Sequence, residues 1–170
     1  MSEKNFHWVS QNVLAVQEPE TTIKLEMKLE SGIEKNGGFP NFYSTRLSFI
    51  LVDPKVNYNN GRIKYEMEYQ DVFTILQDLD KAFEKGPGPV FQNNVVLQHV
   101  KRGYKKNKNL AFKFYLDHIR PVVILELYDS TGNLQKCEIS ISAREFRSIW
   151  DLMKNFHQSY LVISTNMMQV

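Results

Sequence analysis

One order of periodicities runs twice along this chain, and that duplication limits the available folds more than any other feature. In each copy, four segments with apolar residues at every second position precede one in which they recur at about 3.6, the periods of strands and of a helix. In the first copy the strands begin with the apolar run 13–16. Ile23, Leu25, Met27 and Leu29 then alternate with Lys24, Glu26, Lys28 and Glu30, the pattern of a half-buried strand. Residues 45–53 read as a third strand, apolar on both faces, which Asp53-Pro54 ends because proline has no N–H for the ladder. After the turn Asn59-Asn60-Gly61 a fourth strand places Ile63, Tyr65, Met67 and Tyr69 inward and Arg62, Lys64, Glu66 and Glu68 outward. Val72, Phe73, Leu76, Leu79, Ala82 and Phe83 then share one helix face.

The second copy follows Gly86-Pro87-Gly88-Pro89, the plainest linker in the sequence. Residues 95–101, 110–117, 122–129 and 135–142 read as strands, with Thr131-Gly132-Asn133 as the last hairpin turn. Ser142 and Glu145 make a capping box, the hydroxyl accepting from the helix start while the carboxylate accepts from the cap amide. Phe146, Ile149, Leu152, Met153 and Phe156 form the apolar face behind it. The helices align without a gap at a spacing of 73 residues, pairing Phe73 with Phe146, Leu76 with Ile149, Asp78 with Asp151, Leu79 with Leu152, Lys81 with Lys154 and Phe83 with Phe156.

A four-stranded sheet with one helix leaves an apolar face that a unit of this size cannot cover alone; two such units can cover each other. The expected fold is therefore α+β: tandem β-β-β-β-α repeats, two curved antiparallel four-stranded sheets packed with two helices as an intramolecular pseudo-dimer. All 170 residues form one domain, with repeat one at about 13–86, a linker at 86–90 and repeat two at about 91–163.

Net charge is only +2, far below the balance of a protein that coats duplex DNA through phosphate contacts alone. A nucleic-acid role must rest on local patches. The densest is Lys101-Arg102-Gly103-Tyr104-Lys105-Lys106-Asn107-Lys108, read as the hairpin opening the second repeat, with Lys113 and Tyr115 outward on the next strand. Cations beside rings suit single-strand binding, since cations track phosphates while Tyr104, Tyr115, Phe91 and Tyr43 offer surfaces on which bases stack. The competing reading is a solvated hairpin whose lysines prevent edge-to-edge pairing of sheets. Lys24, Lys28, Arg46, Arg62 and Lys64 form a weaker patch in the first repeat, diluted by Glu26, Glu30, Glu66 and Glu68, whose cross-strand ion pairs suit an ordinary wet sheet face.

Catalytic and metal-binding signals are missing from the sequence, and no cofactor is expected. His7, His99, His118 and His157 are scattered without ligand spacing, and Gly37-Gly38 lacks the strand-then-helix context of a phosphate loop. Cys137, the single cysteine, alternates in phase with Ile139 and Ile141 and reads as a core residue. One cysteine forms no internal disulfide, and neither a secretory leader nor a membrane span is legible, so the expected location is intracellular: cytoplasmic, nucleoid-associated, or nuclear in a eukaryote.

The segment Phe112-Lys113-Phe114-Tyr115-Leu116-Asp117, then a strand, a hairpin, Ile139-Ser140-Ile141-Ser142 and Glu145-Phe146-Arg147, resembles a Pur repeat over residues 109–156. The duplicated architecture is similar to the Whirly family too, and to the positive-cofactor-four group as a dimer of single repeats. The sequence departs from both named families, lacking the glycine-rich hairpin of Pur repeats and, over 14–28, the Lys-Gly-Lys-Ala motif of plant Whirly proteins. The resemblance implies single-stranded DNA or RNA as ligand, bound on sheet surfaces, and carries over Lys113 as the basic position of the Pur strand. The expected function is a non-enzymatic single-strand binder with little sequence preference, working in replication, recombination, transcription or RNA handling. The alternative is a protein-interaction or assembly module of the same fold, docking a partner or a second copy through its helices or the Tyr160-Leu161-Val162-Ile163 segment.

Overall fold

Among the described residues eleven elements follow one another: β1 (Phe6–Gln17), β2 (Lys24–Glu34), β3 (Arg46–Val52), β4 (Arg62–Met67), α1 (Tyr69–Ala82), α2 (Pro87–Gln92), β5 (Val96–Gly103), β6 (Lys106–Asp117), β7 (Arg120–Asp129), β8 (Gln135–Ser142) and α3 (Ala143–Met168). The computed structural model describes residues 6–18, 22–34, 45–55, 61–103, 106–130 and 135–168, and their side chains apart from those of 6–10, 31–34, 103, 106 and 161–168. β1 to β4 form one antiparallel sheet and β5 to β8 another, each in sequence order. The architecture is the expected α+β duplication.

Strand alternation decides which side chains enter the core. Leu25 and Met27, Leu47, Phe49 and Leu51, then Ile63, Tyr65 and Met67 point inward from the first sheet, and all are buried. Leu110, Phe112 and Phe114, Val123, Leu125 and Leu127, then Cys137, Ile139 and Ile141 do so from the second. The two inward faces meet: Phe49 and Phe112 pack edge to face with ring centroids 6.3 Å apart. Phe146 of α3 closes on the second sheet against Phe112 and Phe114, at 5.4 and 5.0 Å. Because the helices also lie on this inward side, the opposite faces of both sheets are left open.

Four local outcomes differ from the sequence reading. The repeat register at the helices is 74 residues, not 73, because the helix starts set it: Asp71 accepts from the Glu68 amide at 3.0 Å as Glu145 accepts from the Ser142 amide at 3.2 Å, and Glu145 N–H donates to Ser142 Oγ at 3.1 Å. Val72 thus matches Phe146 and Leu79 matches Met153, all buried, while Phe73 is 40% exposed. The letters that agree at 73 include Asp78, Lys81 and Asp151 on exposed positions, where burial does not define a phase.

The Gly-Pro stretch is not slack. Gly86 takes φ +95°, which a Cβ disfavours, and Pro87 occupies the first helical position, where its missing N–H costs nothing. The resulting helix α2 buries Val90 and Phe91. α3 runs 26 residues, absorbing the 160–163 segment into one continuous helix. β1 starts earlier than the periodicity implies, since a bulge between Asn12 and Leu14 resets its alternation midway. The expected turn residues Asn59, Asn60, Thr131, Gly132 and Asn133 lie outside the described residues.

Candidate nucleic-acid interface

On the open face of the first sheet, Lys24, Lys28, Arg46, Arg62 and Lys64 stand together as expected, among glutamates that engage most of them. Glu30, only 8% exposed, accepts from Lys64 Nζ at 2.7 Å and Ser48 Oγ at 3.3 Å, with Arg46 Nε at 3.5 Å. Arg46 also donates to Glu66 at 2.7 Å, and Lys64 lies 3.3 Å from the same carboxylate. Glu26 holds Lys28 at 3.7 Å and Arg62 at 3.8 Å. Burial pushes the Glu30 carboxyl up, but the Lys64 hydrogen bond and charge, helped by Ser48 and Arg46, outweigh it and leave the pKa below 4.5. Lys24 is exposed and has no ion pair among the described residues. Lys24 apart, the charges of this face are paired with one another.

The second sheet divides the basic hairpin between its two sides. Arg102, Lys113 and Tyr115 share the open face, because they fall on the strand positions opposite to Leu110, Phe112 and Phe114. Lys101 and Lys108 fall on the other side. Lys101 Nζ reaches Asp71 Oδ2 at 3.2 Å, donates to the Glu66 carbonyl, and lies 5.1 Å from the Tyr65 ring centre, so it braces the seam between repeats. Lys108 lies 3.8 Å from Asp129. Tyr104, Lys105 and Tyr43 are outside the described residues; Lys106 begins β6, and its side chain is outside them too. Phe91 is no stacking surface, since it is 7% exposed and packed against Phe83 and Phe114.

Two residues that sequence reasoning passed over join the open face. Tyr128 and Lys136 are cross-strand partners there, and Lys136 Nζ lies 3.4 Å from Glu126 Oε2, the oxygen that Lys113 Nζ approaches at 2.6 Å. The alternation of residues 135–142 carried this signal, since inward Cys137, Ile139 and Ile141 force Lys136 outward. Burial raises the Glu126 pKa, and the Lys113 hydrogen bond and charge with Lys136 more than reverse this, holding it below 4.5. Lys113 is correspondingly raised above 10.5, chiefly by its hydrogen bond to Glu126.

A second cluster, also unread from the sequence, sits in the seam. Tyr65 Oη meets His99 Nδ1 at 2.5 Å, and His99 Nε2 lies 3.3 Å from Asp71 Oδ1. An Asp-His-hydroxyl array suggests nucleophilic chemistry, yet Tyr65 is 1% exposed and the adjoining cavity holds about 10 Å³, space for a single water. Burial and the Asp71 charge push the Tyr65 pKa up, which keeps the phenol protonated. The array ties β4 and α1 of one repeat to β5 of the other. Asp117 and His118 lie 3.9 Å apart, with the His118 side chain 95% exposed.

Among the described residues no group of three or more His, Cys, Asp or Glu side chains is placed to hold a metal ion, and no helix is long and apolar enough to cross a membrane. No family model and no curated protein matches the sequence. Among solved structures, the chain is similar to the crystal structure of WHY1 from Arabidopsis thaliana, with a TM-score of 0.54 and 10% identity over 97% of this chain and 94% of that one. The likeness spans both repeats, and the chain has a Whirly-like fold.

Proposed function

We propose that this protein binds single-stranded DNA or RNA, with little sequence preference and without catalysing a reaction, and that it does so inside the cell on the open face of its second sheet. The observation that carries the reading is the row of Arg102, Lys113 and Tyr115 on a sheet surface that no helix covers. Cations there neutralise phosphates, and Tyr115, with Tyr128 on the neighbouring strand, offers a ring to any base. Tyr104, Lys105 and Lys106 extend the contact along the hairpin, whereas Lys108, beside Asp129 on the other side of the sheet, does not. Lys101, engaged in the seam, is left out of the surface. Lys24, Lys28, Arg46, Arg62 and Lys64 contribute less, because phosphate must compete there with Glu26, Glu30 and Glu66.

Fluorescence anisotropy with labelled single-stranded DNA, single-stranded RNA and duplex oligonucleotides across a salt series tests the proposal. The single strands bind better than duplex, and R102A/K113A flattens the logarithmic salt slope by about 1.4, roughly 0.7 for each lost phosphate contact on a single strand. Y115A costs about 1–3 kcal/mol with the slope unchanged, as expected of stacking. Equal affinity of wild type and the R102A/K113A/Y115A variant rejects the face.

A further inference from the structure

We infer that Lys113, Lys136 and Glu126 form a phosphate site with a built-in competitor, in which the Glu126 carboxylate occupies the place of one backbone phosphate of the bound strand and yields to it. The inference rests on the single-strand reading and adds the residue that tunes it. Lys113 on β6 and Lys136 on β8 flank Glu126 on β7, and both ammonium groups close on the same oxygen, Oε2. An anionic oxygen shared by two ammonium groups is what a phosphodiester would supply at that point.

Two further observations set Glu126 apart from an ordinary surface ion pair. It is 9% exposed, so the carboxylate has given up most of its hydration for these two lysines. Its direct cross-strand partner on β8 is Glu138, a like-charge pairing that destabilises a sheet unless cations intervene. The lysines offset that repulsion, and Glu126 in turn withholds them from an incoming polyanion.

The first sheet has the same device in a locked form. Glu30 bridges Arg46 and Lys64, but both cations are also held by Glu66, and Ser48 adds a hydrogen bond. Displacing Glu30 therefore still leaves both cations partnered. In the second sheet Lys113 and Lys136 have no other ion pair among the described residues, and Glu138 acts on Lys113 only through its charge at longer range, so moving one carboxylate frees both ammonium groups from their direct partner. The site belongs to the sheet where the exchange is least opposed.

The test is anisotropy with a labelled single-stranded oligonucleotide on full-length E126Q, E138Q and E126Q/K113A/K136A. E126Q keeps the side-chain shape and binds about 3- to 10-fold tighter, the equivalent of one or two surface ion pairs no longer to be broken. E138Q, which removes an equal charge but bridges neither lysine, gains less, and the triple variant loses the gain. K136A, at an exposed residue, tests the same site from the other side and flattens the wild-type slope by about 0.7 even if E126Q does not fold. Wild-type binding with E126Q no tighter than E138Q, or with K136A unchanged in slope, overturns the phosphate site alone. Absence of binding by wild type and E126Q alike overturns the single-strand reading with it.

Discussion

Truncating one aromatic in each helix separates the two possible alignments of the repeats. Phe146 is 3% exposed, with the rings of Phe112, Phe114, Phe83 and Trp150 at centroid distances of 5.0 to 6.4 Å. Removing its ring leaves a cavity walled by other rings that cannot collapse into it, so Phe146→Ala costs about 3–5 kcal/mol. Phe73 lies over Tyr69 and His157 at 6.3 and 5.2 Å with 40% of its surface in water, so Phe73→Ala loses part of a ring's transfer energy and opens no enclosed void, about 1–2 kcal/mol. Val72, fully buried, is the residue that matches Phe146, and Val72→Ala costs about 2 kcal/mol for two carbons and the void they leave. In a chain of this length each kcal/mol lowers the melting midpoint by about 2–4 °C. Calorimetry on the three variants therefore places Phe146→Ala about 6–20 °C below wild type and Phe73→Ala about 2–8 °C below it, with Val72→Ala shifted at least as far as Phe73→Ala. A Phe73→Ala loss equal to that of Phe146→Ala, with Val72→Ala silent, would show that the 73-residue alignment describes the packing and that the helix starts do not.

Two further outcomes follow from the seam and the core. Tyr65→Phe removes the hydroxyl shared with His99 and leaves a largely buried imidazole nitrogen unpaired, so it lowers unfolding free energy by about 1–3 kcal/mol in urea titration, while adding His99→Ala to the Tyr65→Phe variant costs little more if the two act as a pair. Burial raises the Cys137 thiol from 9.0 to about 11, so the folded state favours the protonated form and stability falls as pH rises through that window. Cys137→Ala flattens this part of the alkaline profile, and native Cys137 reacts with iodoacetamide far more slowly at pH 8 than in urea; equal rates would place the thiol at the surface.

The duplication was legible because burial on one face imposes period two on strands and 3.6 on helices, and both periods survive in the letters. Leu25 and Met27 or Ile139 and Ile141 could hardly face water. Helix phase was not legible, because two amphipathic helices slide past each other by one residue with most apolar matches intact; the capping carboxylates Asp71 and Glu145 settle it only once their hydrogen bonds are known. The open face was read in part. Lys113 and Tyr115 follow from alternation along one strand, whereas the grouping of Lys113 with Glu126 and Lys136 depends on the register of three strands, which two-residue periodicity leaves free. Lys101 was misread for the opposite reason: a lysine in a basic run looks solvated, and only the cross-repeat partner Asp71 turns it inward.

α2 joins the halves without slack, anchored by Val90 and Phe91, and so makes one polypeptide of what could be two identical subunits. Identical subunits must repeat every substitution on both surfaces, whereas a fused pair lets each surface drift alone. The interlocked acids and bases of one sheet and the sparser, tyrosine-bearing surface of the other are what such freedom permits: one scaffold whose two sides differ in charge and ring content.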